Sequence, residues 1–149
     1  MVIKVRKFYV FNINDYFKDV YDNYPYKLYK MLEDAYLVNK HNTKESISLY
    51  EQIITNYNKL FMNNYIQVNN KLDISYYHKE DIHLITNSDE YTKLIINKHY
   101  LKIKTSINYP KFFKNLNTYS DNIFICDFIN NDYFWLNKIK NIKNNYIKQ

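Results

Sequence analysis

No glycine occurs among the 149 residues of this chain, and there are only two prolines and one cysteine. A chain without glycine cannot form a Walker A loop, a Rossmann GxGxxG turn or a GxSxG nucleophile elbow, because each needs a residue without a Cβ at a fixed place. Tight turns and left-handed helix ends then fall to Asn and Asp, and Asn is plentiful. The lone Cys126 excludes an internal disulfide and a cysteine-clustered zinc site, which fits a reducing compartment; its neighbours Phe124 and Ile125 point to burial. No segment approaches the ~20 apolar residues of a membrane span. The start, MVIKVRKFYVF, has no small-residue cleavage site of a signal peptide, so the expected location is the cytoplasm.

Tyrosine and positive charge are what the chain has in excess. Eighteen Tyr contribute to an aromatic content of 19%, and the formal net charge is +6. Aromatic residues interleaved with lysine suit nucleic-acid binding in principle. Tyr, Asn, Ile, Lys and Phe are also the residues of A/T-rich codons, and a biased genome raises all of them together. The basic residues are spread along the chain, apart from a tail over 138–149 with Lys138, Lys140, Lys143 and Lys148, which reads as a solvated end. We therefore expect no direct nucleic-acid contact.

Periodicity outlines one domain over 1–149. Residues 3–11, IKVRKFYVF, read as a strand rich in β-branched and aromatic residues. Asn14 or Asn12 can cap a short helix in which Phe17, Val20 and Tyr21 recur at helical spacing. Pro25 opens a second helix with the core stripe Leu28, Met31, Leu32 and Ala35. Thr43 caps a third helical candidate over 43–60, with Ile47, Tyr50, Ile54 and Tyr57 roughly on one face. Between 61 and 77, alternation at Tyr65, Gln67, Leu72 and Ile74 hints at short strands. Thr92 to Thr105 reads as a hairpin whose positive-φ residue is Asn97. Pro110 starts a helix carrying Phe112, Phe113 and Leu116; NIFICDF reads as a buried strand, and NNDYFWLNKIK as a loop with the one Trp. The expected architecture is α/β, a single domain with a mixed, mostly antiparallel sheet and helices packed against it.

Catalytic candidates are sparse. Neither an HExxH pattern nor a helical i, i+4 pair appears among His41, His78, His83 and His99; His78 and His83 flank Glu80 and Asp81 in what reads as a polar loop. Asp81, Asp89, Glu90 and Asp127 are the carboxylates to weigh, and Asp127 ends a predicted core strand. An Asx turn after that strand is the favoured reading. No cofactor, metal, catalytic residue or small-molecule substrate is expected.

Two segments carry a resemblance. The first is Arg6-Lys7-Phe8-Tyr9-Val10-Phe11 with Ile13, Asp15, Phe17 and Tyr21, then Leu28, Tyr29, Met31 and Leu32. The second is Asp127-Phe128, Tyr133 and Trp135-Leu136-Asn137 with Ile139-Lys140. Together they resemble the SirA family of sporulation inhibitors of replication, found in endospore-forming Firmicutes. The family pattern has a glycine where this chain has Phe134 and a proline where it has Lys138. The resemblance implies a non-enzymatic inhibitor that binds the N-terminal domain (domain I) of the replication initiator DnaA and prevents its action at the origin. It also implies a contact surface centred on Phe17 and Tyr21, with Gln52 from a later helix; Asn14 and Lys18 are the further contact candidates beside the pair.

Phe17 and Tyr21 stand i, i+4, so they project as neighbours from one helix face, with Asp15, Lys18 and Asp19 as a polar rim. Alanine at either is expected to abolish the complex with little change in melting temperature. If instead both face the core, the melting temperature falls. Two other classes share the composition: a small basic nucleic-acid-binding protein, and a viral protein-interaction module that blocks another host target.

Overall fold

The computed structural model describes residues 4–39 and 44–139. Strand β1 (Arg6–Asn12) is followed by helices α1 (Asp15–Tyr21), α2 (Pro25–Asn39), α3 (Lys44–Ile53) and α4 (Lys59–Asn70). Strands β2 (Tyr76–Lys79), β3 (Ile82–Thr86), β4 (Tyr91–Ile96) and β5 (Leu101–Thr105) come next, then α5 (Phe112–Tyr119), β6 (Ile123–Asp127) and β7 (Asp132–Trp135). One sheet of seven strands results, in the order β2-β3-β4-β5-β1-β6-β7. Every pairing is antiparallel, so the α/β class holds and the parallel component of the expected mixed sheet is absent among the described residues.

β1 lies inside the sheet because both its faces are apolar. Phe8 and Val10 point into a core shared with Met62 and Ile66 of α4 and with Phe112, Phe113 and Leu116 of α5. Tyr9 and Phe11 point the other way, onto Leu28, Leu32 and Ala35 of α2 and onto Tyr50 and Ile53 of α3. A strand buried on both faces reads as a continuous apolar run, and β6 does the same: all five of its residues are buried. β1 and β6 are thus sandwiched between two helical layers.

The hairpin of β4 and β5, the Pro25 start of α2 and the α5 stripe match the sequence reading. Five readings need correction. The helix expected over 43–60 ends at Ile53; Ile54 then runs extended and bridges Ile13, and Asn58 caps a separate helix by accepting from Phe61 N at 3.0 Å. That helix, α4, replaces the strands suggested by Tyr65, Gln67, Leu72 and Ile74. Asn97 is not at positive φ; Glu80 and Asn131 are, each at 53°, in the β2–β3 and β6–β7 turns. The supposed polar loop around His78 and His83 is the β2–β3 hairpin. Trp135 ends strand β7, where a loop was expected, and packs edge-on against Phe124. Thr43 and the tail from 140 lie outside the described residues.

Candidate partner-contact face

Helix α1 has only seven residues and none fully buried, so its position rests on anchors at both ends. Asn14 supplies most of the first anchor. Its Oδ1 accepts from Phe17 N at 3.0 Å, satisfying a free helix N–H, while its Nδ2 donates to the Gln52 carbonyl at 2.8 Å. Asn14 N also donates to Ile53 O, and Asn122 Nδ2 donates to Asp15 Oδ1 at 2.8 Å. At the far end Lys18 pairs with Asp22, and Lys138 Nζ donates to the Asp22 carbonyl at 2.6 Å. The Lys18 ammonium holds the Asp22 carboxyl below its ordinary value, against a smaller opposing effect of burial.

The predicted aromatic pair is stacked: the Phe17 and Tyr21 ring centroids are 5.9 Å apart with planes 16° from parallel. Both rings are half-buried and pack against the core beneath α2. They form a shoulder, part core and part surface. Tyr16 leans edge-on against Phe17 and is 70% exposed, and Val20 is 40% exposed. The outermost apolar groups of α1 are therefore Tyr16 and Val20, and Val20 does not join the buried side with Phe17 and Tyr21. Sequence reasoning passed over Tyr16, although Tyr16 and Val20 repeat the i, i+4 spacing of the pair beside them. Exposed Tyr24 and Tyr26 extend the apolar surface into the start of α2. A groove of about 340 Å³ borders it, lined by Asp22, Pro25, Trp135 and Lys138 among others.

Of the five residues assigned to contact, Asn14 and Gln52 are joined by a hydrogen bond, and Phe17 and Tyr21 by stacking. Lys18 is turned inward. Its Nζ lies 4.7 Å from the centre of the Trp135 ring, and only 16% of its side chain is exposed. It therefore fastens α1 to β7 through a cation–π contact with Trp135, while its ion pair with Asp22 closes the end of its own helix.

The other polar candidates serve the fold. Asp127 Oδ1 accepts from Ile129 N and Asn130 N, at 3.2 and 3.1 Å, making the Asx turn. Burial pushes the Cys126 thiol well above its ordinary pKa, which keeps it protonated and unreactive. Among the described residues no group of three or more His, Cys, Asp or Glu could hold a metal ion.

His83 is fully buried in a defined tautomer. Asn63 Nδ2 donates to Asp81, so Asn63 Oδ1 must accept from His83 Nε2 at 2.8 Å, and His83 Nδ1 accepts from the Tyr76 hydroxyl at 2.6 Å. Burial first, and the stacked His78 ring second, lower the His83 pKa from 6.5 to about 4. The native state thus binds fewer protons than the unfolded chain between these values, and stability falls as pH drops from 6.5 towards 4, by on the order of 3 kcal/mol. Asp73, held at about 2 chiefly by its bond to Lys111, costs stability only at lower pH, as it protonates below its unfolded value near 4. Urea unfolding across pH should resolve the two windows, and His83→Gln should remove the upper one alone.

Sheet, helical layers and the aromatic shoulder of α1 together define a small α/β protein with a surface suited to contact with another macromolecule. The chain belongs to the SirA family, described as "Sporulation inhibitor of replication protein SirA", which matches residues 6–140. That family is one of regulatory inhibitors, and its name implies a partner in replication initiation. No curated protein matches the chain. No described helix is long and apolar enough to cross a membrane.

Proposed function

We propose that this protein inhibits replication initiation during sporulation by binding domain I, the N-terminal domain, of DnaA through the α1 shoulder. The observation that carries the reading is the stacked Phe17–Tyr21 pair on a short helix whose ends are tied down, flanked by exposed Tyr16 and Val20. Aromatic anchors lose few rotamers on binding and bury large areas, so such a cluster suits the centre of an interface. Seating α1 in advance removes part of the ordering cost of association. Gln52, exposed and bonded through its backbone to Asn14, stands at the N-terminal end of the same face.

The mechanism is occlusion. The initiator's N-terminal domain serves self-association and helicase-loading contacts, and a protein seated there blocks assembly without acting on DNA at that site. The purified protein and the isolated initiator domain should co-elute in size-exclusion chromatography and give saturable heat in calorimetry. Two components that elute separately, with no heat of mixing, would overturn the reading.

A further inference from the structure

The α2 and α3 layer covers only part of its side of the sheet. Strand residues that face it come from β1, β6 and β7, and none comes from β2 to β5. Cross-strand partners share a face, so the register identifies what lies on the uncovered half. One row runs Tyr77, Leu84, Lys93, Lys104, Lys7 across five adjacent strands. The next runs Lys79, Ile82, Ile95, Lys102, Tyr9. Residues spread from position 7 to position 104 thereby place five ammonium groups on one surface.

Lys104 stands directly opposite both Lys93 and Lys7. Like charges opposed in this way destabilise a sheet, and with strands about 4.8 Å apart the three span roughly 10 Å. Nothing among the described residues relieves them. Neither Lys7, Lys93, Lys102 nor Lys104 has an ion pair, although the described segments contain all fifteen Asp and Glu of the chain. Two of the four carboxylates at the ends of these strands are occupied elsewhere, Asp81 by Asn63 and Lys59, and Glu90 by Thr92 on the opposite face. Burial, and then Lys104 and Lys7, push the Lys102 ammonium down from its ordinary pKa. Beside the lysines Tyr77 is 58% exposed and Tyr91 38%, and neither ring stacks on another described one.

We propose that this half of the sheet binds single-stranded nucleic acid, the lysines following its phosphates and Tyr77 and Tyr91 offering faces to its bases. The charge calls for a polyanion, and exposed rings next to a row of ammoniums favour an unpaired strand, because the bases of a duplex cannot reach a protein's aromatic faces. Lysine without arginine supplies point charges and little base discrimination. The sequence expectation of no nucleic-acid contact rested on charge spread along the chain, and strand register gathers that charge.

Fluorescence anisotropy with labelled 20-residue oligothymidylate tests this. Neutralising four phosphates gives a log–log salt slope near −3, or about a 50-fold loss of affinity from 50 to 200 mM salt. The double variant Lys93→Gln, Lys104→Gln should bind at least tenfold more weakly with roughly half that slope, while its melting temperature holds or rises because the opposed charges are gone. Tyr77→Ala should weaken binding with the slope unchanged, and Lys138→Gln, near α1, should bind like wild type. No binding at 50 mM salt overturns the proposal, as does binding that the double variant retains. Tighter binding of a duplex of equal length overturns the assignment to single strands. Capture of polyglutamate without oligothymidylate assigns the face to an acidic protein and also overturns it.

Discussion

Tyr21→Ala is expected to weaken the proposed complex with the initiator's N-terminal domain by about 30-fold or more, corresponding to the ~2 kcal/mol typical of a truncated aromatic anchor. The structure revises the accompanying stability expectation. Tyr21 is half-buried and stacked on Phe17, so its truncation also removes part of the packing beneath α2. A loss near 1 kcal/mol follows, which lowers the melting temperature by about 3 °C for a domain of this size. Phe17→Ala should behave alike. Tyr16→Ala separates the two effects, because Tyr16 is largely exposed and touches the fold through the Phe17 ring. It should leave the melting temperature unchanged and still weaken the complex severalfold. Calorimetric titration below the melting point of each variant is the measurement. If Tyr21→Ala binds like wild type while melting several degrees lower, the pair is core and the contact lies elsewhere.

How much of this face could be read from the sequence follows from which contacts are local. The i, i+4 spacing of Phe17 and Tyr21 and the Asn14 cap depend on neighbours within one helix, and both appear as expected. Lys18 reads as a rim charge by spacing alone; its place over Trp135 depends on β7, at the other end of the chain. The same holds for secondary structure. β1 and β6 are legible because strands buried on both faces need no alternation. Periodicity predicts α3 as far as 60 because Ile54 and Tyr57 continue its spacing, although both are buried from an extended segment that bridges to Ile13. β7 was hidden because an Asn131 turn at positive φ takes the place of the glycine that commonly marks one. The lysine rows were least visible, since a register must be known before separate strands can share a face.

Arg6→Met is expected to destabilise the fold by about 3 kcal/mol, within the range for breaking a buried ion pair and discounted for partial exposure of the arginine. Asp127 and Asp132 stand directly opposite each other where β6 turns into β7, a like-charge pair that needs a cation between them. Arg6 provides it: Nε donates to Asp127 Oδ2 at 3.0 Å and Nη2 to Asp132 Oδ2 at 2.9 Å. Nη1 reaches Asn108 at 2.8 Å, and the guanidinium lies 4.5 Å from the centre of the Phe8 ring. The Asp127 side chain is only 1% exposed, so without Arg6 its charge stays buried beside that of Asp132. The bonds from Ile129 N, Asn130 N and Asn130 Nδ2 remain, which is why the cost stays near the lower end of the range. Urea unfolding of three chains measures the effect. Arg6→Lys should recover part of the loss, because one ammonium replaces the charge but not the fork. Adding Asp127→Asn to Arg6→Met should recover more, since the unpaired carboxylate is then gone. A deficit unaltered by Asp127→Asn would mean that Arg6 acts through packing on Phe8 alone.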